Sequence, residues 1–162
     1  MAAIIRAAAI GDEKLLATLS AFAQDLHLEG RPEHFKPTKI PELAAWYRSL
    51  LESPTARVWI AEDTGLPVGY VLAILHHLPE TPFTQDRQWC EIDQIAVDPN
   101  YRRIGVARSL ILKVVATARA EGIVQIETAS WSFNEEAHQA LGRLGFAPKT
   151  VRFELKAEPE TT

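Results

Sequence analysis

Sulfur is scarce in this chain. Its 162 residues include one cysteine, Cys90, and one methionine. No intrachain disulfide can form, and no Cys/His cluster of the kind that holds zinc can be assembled. A single thiol suits a reducing compartment such as the cytoplasm. Cys90 lies in an apolar strand-like run, so it reads as a buried inert thiol rather than a nucleophile. Also missing is any uninterrupted apolar run of about 18 residues, the length a membrane-spanning helix needs. The Ala- and Ile-rich start is broken by Arg6 and followed by Asp12-Glu13, which is too short and badly flanked for a secretory signal. Positive charge is not in excess: 17 Lys and Arg stand against 21 Asp and Glu, for a net charge of −4. No basic stripe with interleaved aromatics appears, which argues against a nucleic-acid partner. A mildly acidic surface is compatible with a cationic substrate. Repeats, low-complexity segments and long linkers are lacking too. Residues 1–156 are therefore expected to form one domain, with 157–162 as a frayed tail.

What is present suits a folded domain: the apolar fraction is 47% and the charged fraction 23%, enough to bury a full core. Ile4 to Ala7 reads as a first strand, and Asp12 can cap the helix after it. Leu15, Leu16, Leu19, Phe22, Ala23 and Leu26 keep helical spacing until Gly30 and Pro32. A loop to Thr38 precedes a second helix, which starts after Pro41 and stops at Ser53-Pro54. Strands follow at Arg57 to Glu62 and Val68 to His76, joined by the turn Asp63-Thr64-Gly65-Leu66-Pro67. A loop over 78–87 leads to a strand at Trp89 to Val97. A helix from about Gly105 to Glu121 shows Leu110, Ile111, Val114 and Ala118 on one face, and Gly122 ends it. Ile123 to Ala129 is another strand. Asn134 is a natural N-cap for a helix carrying Ala137, Ala140, Leu141 and Leu144. Phe146 to Leu155 has the pattern of a closing hairpin. The strand–helix–strand passage over 90–128 implies a parallel crossover and the first half is hairpin-like, so the sheet should be mixed.

The most informative stretch is Arg102-Arg103-Ile104-Gly105-Val106-Ala107, between a strand broken by Asp98-Pro99 and the third helix. A glycine-containing turn that opens a helix presents unpaired N–H groups to one point. The helix dipole adds positive charge there. Gly105 has no Cβ, and Arg102, Arg103 and Arg108 carry full charges. A phosphate or pyrophosphate is the simplest ligand, and a plain solvated turn is the alternative.

The element order, together with R-x-x-G-x-A at Arg102, Gly105 and Ala107, resembles the GNAT superfamily of N-acetyltransferases. Ile95-Ala96-Val97-Asp98-Pro99 with Tyr101-Arg102 resembles its strand-to-loop passage. Asn134-x-x-Ala137 and Leu144-Gly145-Phe146 resemble its second cofactor motif, and Val58 to Glu62 with Val68-Gly69-Tyr70 its second and third strands. The resemblance implies an α/β domain with one mixed, twisted sheet of about seven strands and about four helices, its two central parallel strands splayed apart. It also implies acetyl-CoA as the cofactor and acetyl transfer to an amine as the reaction. The pyrophosphate would rest on amides of Arg103, Ile104, Gly105, Val106 and Ala107, with Arg102 and Arg108 nearby. The pantetheine arm would lie along Ile95, Ala96 and Val97 as an added strand. The splay should open between Ile95–Val97 and Glu127–Ala129, with a distortion in Glu91 to Val97. Asn134 would contact the cofactor, cap its helix, or do both.

Amine acetylation needs a neutral amine, so a base must take a proton. The resemblance makes Glu91 the first candidate, because some family members carry a glutamate base at this place, six residues before Val97; Asp93 is the second, since side chains two apart in a strand share a face. Either carboxylate could instead attract a cation or pair with an arginine. Two nearby carboxylates raise one pKa, which suits a base working near neutrality. Leu141 stands where many family members carry a tyrosine that protonates the leaving thiolate, so a side-chain acid is in question. Adjacent His76 and His77 should diverge and make a poor metal pair. His27 and His34 flank a loop that helps cover the acceptor site in this family. Phe35, Trp46, Tyr47, Trp89 and Trp131 belong to an acceptor pocket, the core or a dimer contact. The acceptor, a small metabolite, polyamine, aminoglycoside-like compound or peptide terminus, is left open, and a homodimer is a family-level expectation. A non-catalytic acyl-CoA-binding module and an interaction protein without a small ligand are the competing readings.

Overall fold

Alternating apolar side chains build five strands: β1 (Ile4–Ala7), β2 (Ala56–Asp63), β3 (Leu66–Leu78), β4 (Arg87–Val97) and β5 (Ile126–Thr128). Helical apolar spacing builds α1 (Glu13–Gly30), α2 (Ile40–Leu51), α3 (Val106–Ala120) and α4 (Glu135–Arg143). The structure, a computed structural model, describes residues 3–157. They fall into two units, one up to Ala129 and the other from Ser130 onward.

The first unit holds the whole sheet, in the order β1-β2-β3-β4-β5. The first four strands pair antiparallel, and β4 pairs parallel with β5. The sheet is therefore mixed, as expected. One face carries Val58, Ile60, Tyr70, Leu72 and Ala96 against Leu16, Ala17 and Leu19 of α1 and Tyr47 of α2. The alternate residues Trp59, Ala61, Val71, Ala73 and Val97 are buried as well, on the side set by the two-residue strand period. Helix α3 packs on β2, β3 and β4, burying Val106, Leu110, Ile111, Val114 and Ala118. Its end is tied by Ile123 N–H to the Ala118 carbonyl at 2.8 Å and Gly122 N–H to the Arg119 carbonyl at 3.0 Å, a paired C-terminal cap.

Asp12 stands at the N-cap of α1 but makes no side-chain cap. Its carboxylate takes both Arg6 Nη atoms, at 2.8 and 3.0 Å, and the Ala9 N–H at 2.9 Å. A bidentate charged partner outcompetes a neutral amide. The Arg6 hydrogen bond holds the Asp12 carboxyl below the usual range. Arg6 Nε also reaches Glu62 at 2.6 Å, which joins β1, β2 and the head of α1.

Gly69 faces Val97 across the β3–β4 ladder. A Cβ there would lie 2.8 Å from the Ala96 carbonyl oxygen and 3.3 Å from Val97 Cα. Both are main-chain atoms, so the strand would have to move. Gly69→Ala is expected to cost about 1–3 kcal/mol, read as a lower midpoint in urea with an unchanged m-value.

In the second unit, Asn134 Oδ1 accepts the Ala137 N–H at 3.1 Å, which makes it the N-cap of α4. Phe146 N–H to the Leu141 carbonyl, at 3.1 Å, closes the other end. The expected closing hairpin is not formed: among the described residues of 146–157 there is no strand. Val151, Phe153 and Leu155 are 71%, 88% and 93% exposed. Pro148 has no N–H for a ladder, and only Phe146-Ala147 precede it as a first arm. The sheet thus has five strands rather than about seven, with the expected number of helices.

Candidate active site

Strands β4 and β5 run together for three residue pairs and then part. The pairs are Cys90 with Ile126, Glu91 with Glu127 and Ile92 with Thr128. The ladder ends when the Thr128 hydroxyl donates to the Ile92 carbonyl at 2.9 Å, taking the place of a main-chain donor. The next residue, Asp93, is the extra residue of a bulge: Leu72 faces Gln94 while Ala73 faces Ile92. The distortion falls within Glu91 to Val97 as expected, whereas Glu127 and Thr128, expected to border the gap, are still paired with β4, so the split opens only beyond Thr128.

Beyond the bulge the main chain is divided between two sides. Asp98 N–H donates to the Val68 carbonyl at 2.8 Å. Strand alternation then points the main-chain groups of Ala96 at Tyr70 and those of Ile95 and Val97 at the open side. Of the three residues expected to bind a cofactor by their backbone, Ile95 and Val97 face the open side, where the Val97 carbonyl already accepts Arg102 Nε, and Ala96 is engaged with β3.

The open edge is held from one face. Tyr47 Oη, Tyr70 Oη and Gln94 Oε1 lie 2.7–2.8 Å from one another. The two phenols are buried, and burial pushes both pKa values up, so both stay neutral. This cluster joins α2, β3 and β4 at the stretch where β4 has no neighbour on its other side.

At the end of β4, Pro99–Tyr101 forms a short 3-10 turn. Arg102 Nε folds back on the Val97 carbonyl at 3.3 Å. Arg103 adopts φ 64° and Gly105 φ 93°. A left-handed non-glycine residue is uncommon and costs free energy. Gly105 is the N-cap of α3 and supplies no side-chain cap. The first intrahelical acceptor bond is Ser109 N–H to the Gly105 carbonyl at 3.0 Å. The N–H groups of Val106, Ala107 and Arg108 consequently lack intrahelical partners. A cleft of about 260 Å³ adjoins Gly105 and Ser109 and includes Asp63. Ile104, Val106 and Arg108 line it too, so the cleft abuts the uncapped N-terminus of α3.

The carboxylates gather at the start of the split. Glu91 lies opposite Ile74, on the sheet face covered by α1 and α2. Its Oε2 is 2.8 Å from His76 Nε2. Glu127, its neighbour on β5, is occupied by Arg87 Nη2 at 2.6 Å and by Gln125 Nε2 at 2.6 Å. The bulge breaks the simple alternation between Glu91 and Asp93. Glu91, Gln94 and Ala96 share a face, and Asp93 is displaced from the ladder.

The acetyltransferase (GNAT) family profile matches residues 19–146. The chain belongs to the GNAT family. A curated relative is an uncharacterized N-acetyltransferase of Methanocaldococcus jannaschii, 30% identical over 109 residues, which are 67% of this chain and 47% of the relative. The chain thus spans about half of that protein. Among solved structures, a tetramutant of the BH1408 protein from Bacillus halodurans superposes with a TM-score of 0.90 at 22% identity, over 95% of this chain and 99% of that one. An aminoglycoside N-acetyltransferase, AAC(6')-Iy, solved with CoA, gives a TM-score of 0.73 at 20% identity, covering 95% and 94%. At these identities the structures establish a shared fold.

In this GNAT domain, His76 and His77 diverge as expected: His77 Nε2 meets Asp86 at 2.7 Å, far from the Glu91 contact of His76. His27 stacks on Phe35 at 4.7 Å and His34 meets the same ring edge-on at 4.8 Å, ordering the loop after α1. Tyr47 belongs to the core. Cys90 is buried, and burial, with Glu121 nearby, pushes its thiol up to about 11, so it is no nucleophile. Among the described residues no group of three or more His, Cys, Asp and Glu could hold a metal ion, and no helix is long and apolar enough to cross a membrane. Gln94 was not singled out by sequence, and only the strand register shows that it borders the split.

Burial first, then the Glu91 charge, raises the Asp93 pKa, and His76 lowers it in part. A carboxyl that holds its proton more tightly when folded opposes folding once ionised. That cost begins above the unfolded pKa of about 3.9 and is complete above the raised folded value. Asp93→Asn should therefore raise Tm at pH 7, and the gain should vanish at pH low enough to protonate both states. Calorimetry across pH checks this.

Proposed function

We propose that this chain transfers the acetyl group of acetyl-CoA to a primary amine by direct attack. The observation that carries the reading is the parting of β4 from β5 after Ile92, with an uncapped α3 N-terminus at one end of the exposed β4 edge and Glu91 and Asp93 at the other. The cofactor fits these features: amides without partners, a cap residue without a side chain, and a strand edge lacking its neighbour.

Acetyl-CoA supplies the acetyl group already activated as a thioester. Main-chain N–H groups of Arg103, Ile104, Gly105, Val106 and Ala107 would hold its pyrophosphate, with Arg103 and Arg108 adding charge. Arg102, drawn back to Val97, braces the loop. The edges of Ile95 and Val97 would pair with the amides of the pantetheine arm, while Ala96 keeps them in register. Asn134, in the second unit, is engaged as the cap of α4. Glu91 takes the ammonium proton and frees the lone pair for attack. Asp93, with its raised pKa, is the second candidate for that step. Ile95 N–H is the first donor beyond the bulge that faces the open side, and it would serve the developing charge on the acetyl oxygen. Leu141 has no hydroxyl, so the thiolate leaves unaided or through water, as an acidic thiol can. The acceptor is a small amine or a peptide terminus, reached through an acidic mouth. We place the reaction in the cytoplasm, where the lone buried thiol stays reduced.

Leu141 also favours a second reading, an acyl-CoA-binding module without turnover. An acetyl-CoA turnover screen over amine classes, reading free thiol, separates the two. Acetyl-CoA should raise stability by roughly 2.7 kcal/mol at a hundredfold excess over Kd. Turnover of any amine supports transfer, binding without turnover favours the module, and no thermal shift rejects both.

A further inference from the structure

One histidine beside the split is held by two independent contacts. The His76 ring lies 4.7 Å from the Trp89 ring at an interplanar angle of 11°, and its Nε2 lies 2.8 Å from Glu91 Oε2. That nitrogen is sealed from solvent and makes no aligned hydrogen bond. The carboxylate oxygen lies off the N–H direction, so the pair acts through charge more than through a directed bond.

Trp89 makes this arrangement rigid. It pairs with His76 across the β3–β4 ladder and carries the Arg87 guanidinium 4.1 Å from its ring centroid. Arg87 is itself bound to Glu127 of β5 at 2.6 Å. The charged groups around the imidazole are thus Glu91 and Asp93 of β4, with the Arg87–Glu127 pair behind Trp89.

We infer that His76 is a positioning residue for the acetyl-transfer site: stacked on Trp89, it fixes the Glu91 carboxylate at the start of the split. The inference rests on the acetyltransferase reading. His76 also lowers the proton affinity of Asp93. Loss of His76 therefore leaves Glu91 without the contact that places it, and Asp93 available as a base only at higher pH.

His76→Phe keeps an aromatic ring against Trp89 and removes the charge, while His76→Gln keeps an N–H donor. The full chain carrying His76→Phe is expected to fold and bind acetyl-CoA as the parent does. Its kcat should fall roughly tenfold with KM little changed, and the acid limb of its kcat/KM profile should move to higher pH. His76→Gln should recover part of both effects. Independently of turnover, the NMR resonances of the His76 ring should shift in Glu91→Gln, because the group beside the ring is changed. A folded His76→Phe protein with parental kcat and an unmoved acid limb overturns the inference, as do His76 resonances indifferent to Glu91→Gln. If the parent acetylates no amine, the acetyltransferase reading fails, and the resonances alone decide whether the pair exists.

Discussion

Replacing Glu91 with glutamine should lower kcat by roughly 10²–10⁴-fold, the range for a lost general base, with acetyl-CoA affinity within a few-fold of the parent. The substitution keeps the shape and hydrogen-bonding reach of the side chain and removes its ability to take a proton. The cofactor would bind on the β4 edge and the α3 amides, which Glu91 does not touch. Glu91 is the more available of the paired carboxylates, since Glu127 is committed to Arg87 and Gln125. Single-turnover acetylation measured beside calorimetric titration of acetyl-CoA separates chemistry from binding. Because an amine that is already neutral needs no base, the deficit should shrink as pH approaches the acceptor's own pKa. If Glu91→Gln is nearly silent while Asp93→Asn stops turnover, the bulge residue is the base and the assignment must be exchanged.

The parts of this site that depend on local rules are visible in the amino-acid order. Leu110, Ile111, Val114 and Ala118 sit at helical spacing and are the buried face of α3. Asn134 caps α4 because a short amide side chain can reach the N–H three residues on. The loop from Arg102 to Ala107 stands between a strand and a helix, so its place in the fold could be stated in advance. The remainder depends on partners distant in the chain. Nothing in Glu91-Ile92-Asp93-Gln94 announces that Asp93 is squeezed out of the ladder. That follows from the register with β3, and it brings Gln94 onto the face of Glu91. Tyr47, Tyr70 and Gln94 meet only because α2, β3 and β4 converge. Val151, Phe153 and Leu155 show the opposite failure: strand alternation is present, yet a strand needs a partner ladder to exist. Arg103 illustrates a third limit, because a left-handed arginine is set by the loop around it and not by its own preference.

Gly105→Val should weaken acetyl-CoA binding by at least about a hundredfold while the protein remains folded, a gap of about 2.7 kcal/mol. A Cβ at Gly105 would meet nothing within 4 Å, so crowding is not the cause. The cause is φ 93°, a conformation that a β-branched residue resists. Holding valine there costs about 1–3 kcal/mol. Relaxing it instead swings the Gly105–Val106 peptide and with it the first free amides of α3. Either route charges the loss to the anion site, because Gly105 is exposed and the buried residues of α3 begin at Val106. Size and conformation can be told apart by three substitutions. Asparagine tolerates the left-handed region, alanine does so less well, and valine least. Affinity should therefore fall in the order glycine, asparagine, alanine, valine, although asparagine is bulkier than alanine. A ranking by side-chain volume instead would mean that the ligand packs against this position, and equal affinities in all four would place the diphosphate away from the α3 N-terminus.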